Sequence, residues 1–277
     1  MYSLIKKYHP ITASPFQNNV FYREIAPCEA LKPYIRCFWG TDMPSAQPVS
    51  DEKGIVIPDT CMDIIFNINY TQNKCGSFFC TLDEHSYASS GTPSADLTST
   101  FAIRFYAWTA ILFSEQDFTG RKNSCCSVEE FFSYFIRKLE PQLFGMLSLK
   151  EKAAAAEKIL LKMLCTDRIS NDLMNGIDLM LKTDGRAKIS DISLYTAISQ
   201  RQLERIFNFN LGMSPKAFSS LLRYQLLWQE IASSAYFEPL DAVEKYGYTD
   251  QAHLLNDFKR RHLMTPAEAV KYAMKDR

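Results

Sequence analysis

The chain has few of the residues that metal centres and hydrolytic sites require. Only four of its 277 residues are histidines, and only His85 falls in the part that reads as strands. The eight cysteines include no C-x-x-C pair, and Cys75, Cys80 and His85 have neither a zinc-like spacing nor an obvious fourth ligand. A cupin-like metal enzyme and a hydrolase are therefore disfavoured, and we predict a non-enzyme without metal or cofactor.

Long apolar runs and an excess of charge of one sign are also missing. No apolar stretch reaches the roughly 18 residues of a membrane span, and the start MYSLIKKYHP does not resemble a signal peptide. We therefore expect a cytoplasmic protein without a membrane partner. The formal net charge is zero, and residues 188–277 hold 12 Lys and Arg against 10 Asp and Glu. Electrostatics alone would not identify a nucleic-acid partner.

Apolar residues are plentiful, since the chain is 47% hydrophobic and 13% aromatic, and its length suits two folded domains. In the first part, short apolar runs at 34–40, 62–70 and 101–108 alternate with stretches rich in Pro, Gly, Ser and Asp. Consecutive strands without helices between them indicate an antiparallel β barrel or sandwich of a cupin-like kind over residues 1–126.

Barrels of this size often enclose a pocket, and the predicted strands are rich in aromatic residues. We therefore expect a small-molecule effector site in this domain. Asp63 and Arg104 could instead be outward-facing strand residues or ion pairs at a sheet edge. The candidate effector-binding residues are Trp39, Asp63 and Arg104.

Residues 127–170 read as a helical linker. The segments 127–140 and 149–165 have strong helix composition, and the first of them carries Phe131, Phe135 and Leu139 at four-residue spacing. These helices could form a seam between two copies of the chain, or they could pack against the β domain. Both alternatives are open at this point.

The most informative pattern is an internal repeat in residues 171–277. Each copy has a short helix pattern, a turn, a second helix with Leu and Phe four apart, and a Ser/Thr-Pro helix start. This order of elements is typical of two helix-turn-helix units, in which the second helix can enter the major groove of DNA. The recurring residues are Leu203, Phe207, Met213, Ser214 and Pro215, matched 51 positions later by Leu254, Phe258, Met264, Thr265 and Pro266.

The second helix of each unit carries polar residues beside its apolar stripe. Arginine can form two hydrogen bonds to guanine, Gln and Asn suit adenine, and basic residues also bind phosphates. An ordinary solvated helix face has a similar composition, and His253 could equally be a packed histidine, but the repeat favours a DNA contact surface. The cluster Lys259, Arg260 and Arg261 is assigned mainly to phosphates. The candidate DNA-binding residues are Arg201, Gln202, Arg205, Asn208, Gln251, His253, Asn256, Lys259 and Arg260.

The stretches ISDISLYTAISQRQLERIFNFNLGMSPKAF and YGYTDQAHLLNDFKRRHLMTPAEAVKY resemble the DNA-binding domain of AraC/XylS-type bacterial transcription regulators. The resemblance implies two units in neighbouring groove segments, joined by a rigid helix. It also implies base-reading positions at Arg201, Gln202 and Arg205 in one unit and at Gln251, Ala252 and Asn256 in the other. Residues 27–40, 57–67 and 101–108 resemble a sensor-side domain found on some of these regulators.

Several positions depart from the pattern of these regulators, and at residues 208–210 Asn-Phe-Asn replaces a usually basic stretch, which removes phosphate contacts. Ala197 stands where the first turn usually has Gly, and Leu263 replaces the Gly that matches Gly212. Asn256 stands where Arg is common. Asp257 occupies a position expected to face the core, so its carboxylate must be partly exposed or paired.

We interpret the chain as a sequence-specific transcription regulator of this type that responds to a small-molecule effector. The alternative is a ligand- or protein-binding regulator with weak or lost DNA binding, which the near-zero net charge favours. The implied partners are a double-stranded DNA operator, an effector, a second copy of the chain, and RNA polymerase if the protein is an activator.

Overall fold

The computed structural model describes residues 8–17, 22–47, 54–89, 94–234 and 237–275. An antiparallel sheet occupies the first part of the chain, two helices pack against it, and the rest of the described chain is helical. The overall α+β class is as predicted.

The main sheet has seven strands. Six of them lie in the order β1-β2-β8-β5-β6-β9, and the seventh, β3, pairs with β8. A separate ribbon pairs β4 with β7. All strand pairs are antiparallel. The strands are β1 (Arg23–Ile25), β2 (Ile35–Gly40), β3 (Ser45–Gln47), β4 (Gly54–Val56), β5 (Cys61–Asn69), β6 (Lys74–Cys80), β7 (Tyr87–Ser89), β8 (Ser94–Tyr106) and β9 (Cys125–Cys126).

The two faces of the sheet differ because side chains alternate along each strand. On β5, Ile64 and Phe66 are fully buried, whereas Asp63 and Ile65 on the other face are half-buried. The neighbouring strand β8 has the same two faces, because Arg104 of β8 lies directly opposite Asp63 and so on the same face of the sheet. One face is therefore apolar and the other, termed here the mixed face, carries charged residues.

The prediction of an antiparallel β domain is confirmed, but its closure into a barrel is wrong. Among the described residues, the terminal strands β1 and β9 do not pair with each other, so the sheet stays open. The helix Val128–Leu143 covers the apolar face, where the ring of Phe132 lies 4.9 Å from that of Phe79 and the ring of Phe135 lies 6.4 Å from that of Phe66. Aromatic side chains from a later helix thus bury the face that a closed barrel would keep inside.

Three helices pack with the sheet. They are α1 (Ala107–Ala110), α2 (Val128–Leu143) and α3 (Leu149–Met163). The apolar faces of α2 and α3 are buried within this chain. This burial agrees with the second alternative, in which the two helices pack against the β domain. Lys152 of α3 is also fully buried, and its Nζ donates to Ser99 Oγ at 2.9 Å.

Seven further helices form the C-terminal region. They are α4 (Asn171–Lys182), α5 (Ile189–Thr196), α6 (Gln200–Leu211), α7 (Pro215–Ser233), α8 (Pro239–Tyr246), α9 (Gln251–His262) and α10 (Pro266–Ala273). The pairs α5–α6 and α8–α9 are the two predicted helix-turn-helix units, and α7 joins them. Ser214 and Thr265 cap α7 and α10 through hydrogen bonds from the backbone, with proline at the first helical position.

Candidate nucleic-acid interface and ligand pocket

In the first unit, the turn before α6 fixes the direction of this helix. Ala197 adopts the left-handed conformation with φ of 56°, the conformation that favours glycine. Ser199 then caps α6, because its Oγ accepts from the backbone N–H of Gln202 at 3.2 Å. The side chain of Gln202 accepts in return from the backbone N–H of Ser199 at 3.0 Å. The cap at Ser199 is recognisable from the sequence, and the S-x-x-Q spacing indicates the reciprocal bond of Gln202.

The polar face of α6 separates from its apolar stripe as predicted. Leu203 and Phe207 are fully buried, whereas Arg201 and Arg205 are exposed. Asn208, another predicted contact residue, is half-buried and its Nδ2 donates to Glu204 O at 2.9 Å. Gln202 is exposed, but its amide oxygen is engaged in the cap. The two arginines are thus the candidates on α6 with the most freedom to reach a ligand.

In the second unit, Asp250 caps α9, because its carboxylate accepts from the backbone N–H of His253 at 2.7 Å. Gln251 and Asn256 are exposed on this helix. The ring of His253 lies edge-on to the ring of Tyr248 at 5.3 Å, so it packs against the turn while remaining exposed. The sequence left the role of this histidine open, and the geometry adds a packing role to it.

The basic cluster at the end of α9 is divided by burial. Lys259 and Arg260 are exposed, whereas Arg261 is only 6% exposed, so its assignment to phosphates is wrong. Arg261 donates to Ser220 Oγ at 2.9 Å and pairs with Asp257, and Arg260 also pairs with Asp257. Asp257 is buried and paired, as its core position required.

Helix α7 is also the surface on which the β domain docks. Gln225 is fully buried, and its side chain bonds to the backbone N–H of Ile11 at 3.0 Å and to Pro58 O at 2.9 Å. The indole N–H of Trp228 donates to Thr12 O at 2.9 Å. Sequence reasoning missed both residues, because a polar side chain in a long helix does not indicate its partner 167 or more positions away.

A cavity of about 320 Å³ lies on the mixed face, between the sheet, the β4–β7 ribbon and α10. All three predicted effector residues line it: Trp39 Nε1 donates to Asp63 Oδ1 at 2.8 Å, and Arg104 Nη1 lies 3.6 Å from Asp63 Oδ2. Asp59 also pairs with Arg104 and was not predicted. The pair of Arg104 and Asp63 joins the inner strands β8 and β5 rather than lying at a sheet edge, and Asp59 precedes β5.

Negative charge is in excess around this cavity. Among the described residues that line it, the carboxyl groups of Asp59, Asp63 and Asp83 accompany one guanidinium, that of Arg104. Burial raises the pKa of Asp59 to about 6 although Arg104 opposes the shift, and it also raises the pKa of Asp63. Burial and the neighbouring Asp59 raise the pKa of Asp83 to about 6. The lining would be stabilised by a ligand that brings positive charge.

Two further properties concern only the residues that the structure describes. None of their helices is both long and apolar enough to cross a membrane. No group of three or more His, Cys, Asp or Glu side chains among them is arranged to hold a metal ion.

Comparison with known proteins finds two regions of the chain that match domain families. Residues 192–272 match the helix-turn-helix domain family HTH_18, and residues 23–127 match a domain of unknown function, DUF6597. We found no curated protein that matches the chain.

Solved structures of regulators are also similar to parts of the chain. A transcriptional regulator with an AraC-type DNA-binding domain from Chromobacterium violaceum is 23% identical, with a TM-score of 0.35, over 38% of this chain and 93% of that one. ToxT from Vibrio cholerae is 10% identical, with a TM-score of 0.43, over 86% of this chain and 99% of that one.

Proposed function

We propose that this chain, a DNA-binding transcription regulator of the AraC type, reads two successive major-groove segments of its operator through α6 and α9. One observation carries the proposal: both units expose a polar face on their second helix while burying the repeated Leu and Phe. The shared connector α7 is buried along most of its length, so it would hold the two units at a constant separation.

The exposed residues suggest different roles within each unit. On α6, Arg201 and Arg205 are suited to guanine edges, and the remaining amide N–H groups of Gln202 can donate to a base. On α9, Gln251 and Asn256 are suited to adenine. Ala252, which is exposed beside Gln251, offers an apolar contact.

The other candidate residues are suited to backbone or accessory contacts. Lys259 and Arg260 would contact phosphates, which position the protein without reading sequence. Asn208 and His253 would make secondary contacts, since each already interacts within its own unit.

We propose domain boundaries near residues 126 and 170. The sheet ends at Cys126, and the C-terminal helices begin with α4 at Asn171. A protein that reads an operator must work where the DNA is, so we place it in the cytoplasm. Pairing with a second copy, and contact with RNA polymerase if the protein is an activator, remain predictions.

The phosphate assignment predicts a change in salt dependence. Replacing Lys259 and Arg260 with alanine should weaken binding to all sequences alike and flatten the slope of log K against log salt by about 0.9 for each lost phosphate contact. Arg260 should contribute less than Lys259, because it already pairs with Asp257. The slope is measured by fluorescence anisotropy over a salt series.

The matched control replaces the exposed lysines Lys158 and Lys162 of α3, which removes the same charge away from the two units. This control should leave the slope unchanged. An unchanged slope in the Lys259/Arg260 variant would contradict the phosphate assignment. Weak, salt-insensitive binding by the wild-type protein would favour the alternative of lost DNA binding.

We further propose that the cavity on the mixed face binds a small organic cation as an effector. It combines an excess of carboxyl groups with the aromatic side chains Trp39, Tyr87 and Tyr272. Carboxylates attract an ammonium group, and aromatic faces attract it through their π electrons. A fatty or aromatic acid would meet repulsion from the same lining.

The wall of the cavity connects a bound ligand to the DNA-binding region. Residues 54–59 line the cavity, and within them the backbone N–H of Ile55 donates to Tyr272 Oη of α10 at 3.3 Å. Pro58 O accepts from Gln225 of α7. A ligand that shifts this segment therefore shifts direct contacts to the helix that joins the two units.

A matched pair of probes tests the charge preference. Phenethylamine should raise the Tm of the full-length protein, whereas 3-phenylpropionate at equal concentration should not. Asp83→Asn should weaken amine binding roughly fivefold, about 1 kcal/mol, because a carboxylate in the lining is lost. Glu84→Gln is the control, since Glu84 pairs with Lys122 and does not line the cavity. Equal shifts with amine and acid would contradict the proposal.

A further inference from the structure

Two cysteines meet at the edge of the sheet that β9 forms. Cys80 is the last residue of β6 and lies directly opposite Cys125, the first residue of β9. Their Sγ atoms are 2.7 Å apart. Residues directly opposed in an antiparallel pair have Cα atoms about 4.5–5.5 Å apart, which is inside the range of about 4.4–6.8 Å that a disulfide spans. The two residues can therefore be joined without a rearrangement of the strands.

The pair differs in accessibility and in acidity. Cys125 is exposed, whereas Cys80 is partly buried. The hydrogen bond with the Cys80 thiol lowers the pKa of Cys125, although burial and the carboxylates of Asp83 and Asp63 oppose this shift. The same hydrogen bond, together with burial, raises the pKa of Cys80. Cys125 is thus the more accessible and more easily ionised thiol, the one that reacts first.

A short path of contacts leads from this pair to the first DNA-binding unit. Phe79 precedes Cys80, and its ring lies 5.5 Å from the ring of Phe118. The backbone N–H of Phe118 donates to Phe209 O in the last turn of α6 at 2.9 Å. Just after α6, a Cβ on Gly212 would collide with the carbonyl oxygens of Phe118 and Arg121. Residues 118–121 therefore support the end of the helix that carries Arg201 and Arg205.

We propose, resting on the proposed reading of DNA by α6, that Cys80 and Cys125 form a redox-controlled dithiol whose oxidation to a disulfide tightens DNA binding by the first unit. A disulfide would tie β9 to β6 and so anchor residues 118–124, which precede β9 and support α6. A segment that is ordered before binding loses less conformational entropy when the complex forms. Disulfides in reducing compartments are typically of this redox-sensing kind.

The oxidant is a hydroperoxide. The Cys125 thiolate attacks one peroxide oxygen, the O–O bond breaks, and the other oxygen leaves as an alcohol, or as water when the oxidant is hydrogen peroxide, after taking up a proton. The resulting sulfenic acid is attacked by the Cys80 sulfur, the S–O bond breaks, and water leaves. Overall, the two thiols lose two electrons and two protons. The peroxide takes up these electrons and protons. A small-molecule thiol reverses the step by thiol–disulfide exchange.

The test uses the full-length protein and hydrogen peroxide. A DNA fragment is first selected for binding to the reduced protein, and peptides from treated protein are mapped under non-reducing conditions. We expect a Cys80–Cys125 link to form before any other cysteine is oxidised, and dithiothreitol to remove it. The Kd for the selected fragment should fall about fivefold or more on oxidation.

Variants separate the pair from the other six cysteines. Cys80→Ser and Cys125→Ser should each have a Kd that peroxide does not change. Cys165→Ser, which removes the other exposed cysteine, should respond like the wild type. The proposal is overturned if the link does not form first, or if it forms and leaves the Kd unchanged. Binding of the reduced protein to the fragment tests the proposed DNA reading without involving the disulfide. The proposed function and the redox proposal can therefore fail independently.

Discussion

Replacing Arg201 or Arg205 with alanine should weaken operator binding by about 1–3 kcal/mol each, a loss of roughly 5- to 150-fold, and should relax base preference in one half-site. Both side chains are exposed on α6, four residues apart, while Leu203 and Phe207 hold the opposite face in the core. In the alanine variants, water cannot make the two hydrogen bonds to guanine with the geometry that arginine provides, so binding is weakened. Competition anisotropy with single-base operator variants measures both effects.

The control is Arg137→Ala on α2, which removes an exposed arginine away from both units. It should bind like the wild type. Wild-type affinity in both the Arg201 and Arg205 variants would show that α6 does not present this face to DNA.

The two units should also differ in stringency. The first offers two arginines, whereas the second offers the uncharged Gln251 and Asn256 as base readers. We therefore expect sharper sequence preference in the first half-site, with the half-sites centred about 10–10.5 bp apart. Footprinting combined with selection from random sequences decides this, and equal stringency in both half-sites would contradict the assignment.

Replacing Asp257 with alanine should destabilise the protein by about 3–5 kcal/mol, because it leaves a buried guanidinium without its counter-ion. Asp257 is 7% exposed and Arg261 is 6% exposed. Tyr248 Oη donates to Asp257 Oδ2 at 3.0 Å and would lose its acceptor as well. Urea unfolding of the full chain, followed by circular dichroism, measures the loss. The exposed Asp241→Ala is the control, and a loss below about 1 kcal/mol would contradict the proposed role.

The same carboxylate makes stability depend on pH. Burial alone would raise the pKa of Asp257, but Arg261, Arg260 and Tyr248 together lower it below its usual value. Its contribution is therefore fully present above the unfolded pKa of about 3.9 and is lost as the pH falls through the lower folded value. The wild-type protein should lose this part of its stability on acidification, and Asp257→Ala should not.

The sequence by itself determined the features that depend on local chemistry. The repeated Leu and Phe positions placed the two units, and Ser-Pro and Thr-Pro marked the starts of α7 and α10. These predictions hold because helix period and capping depend on residues within a few positions of one another. The alternation of side chains along β5 likewise follows from strand geometry alone.

Only the tertiary structure decided which partners distant residues have. Arg261 and Lys259 are two positions apart in one basic cluster, yet Arg261 is buried against Ser220 of α7 and Lys259 is exposed. The sheet stays open because the phenylalanines of α2 cover its apolar face, and Cys80 meets Cys125 because β9 pairs with β6. Burial, sheet closure and thiol pairing depend on contacts between residues far apart in the chain, and no local pattern specifies those contacts.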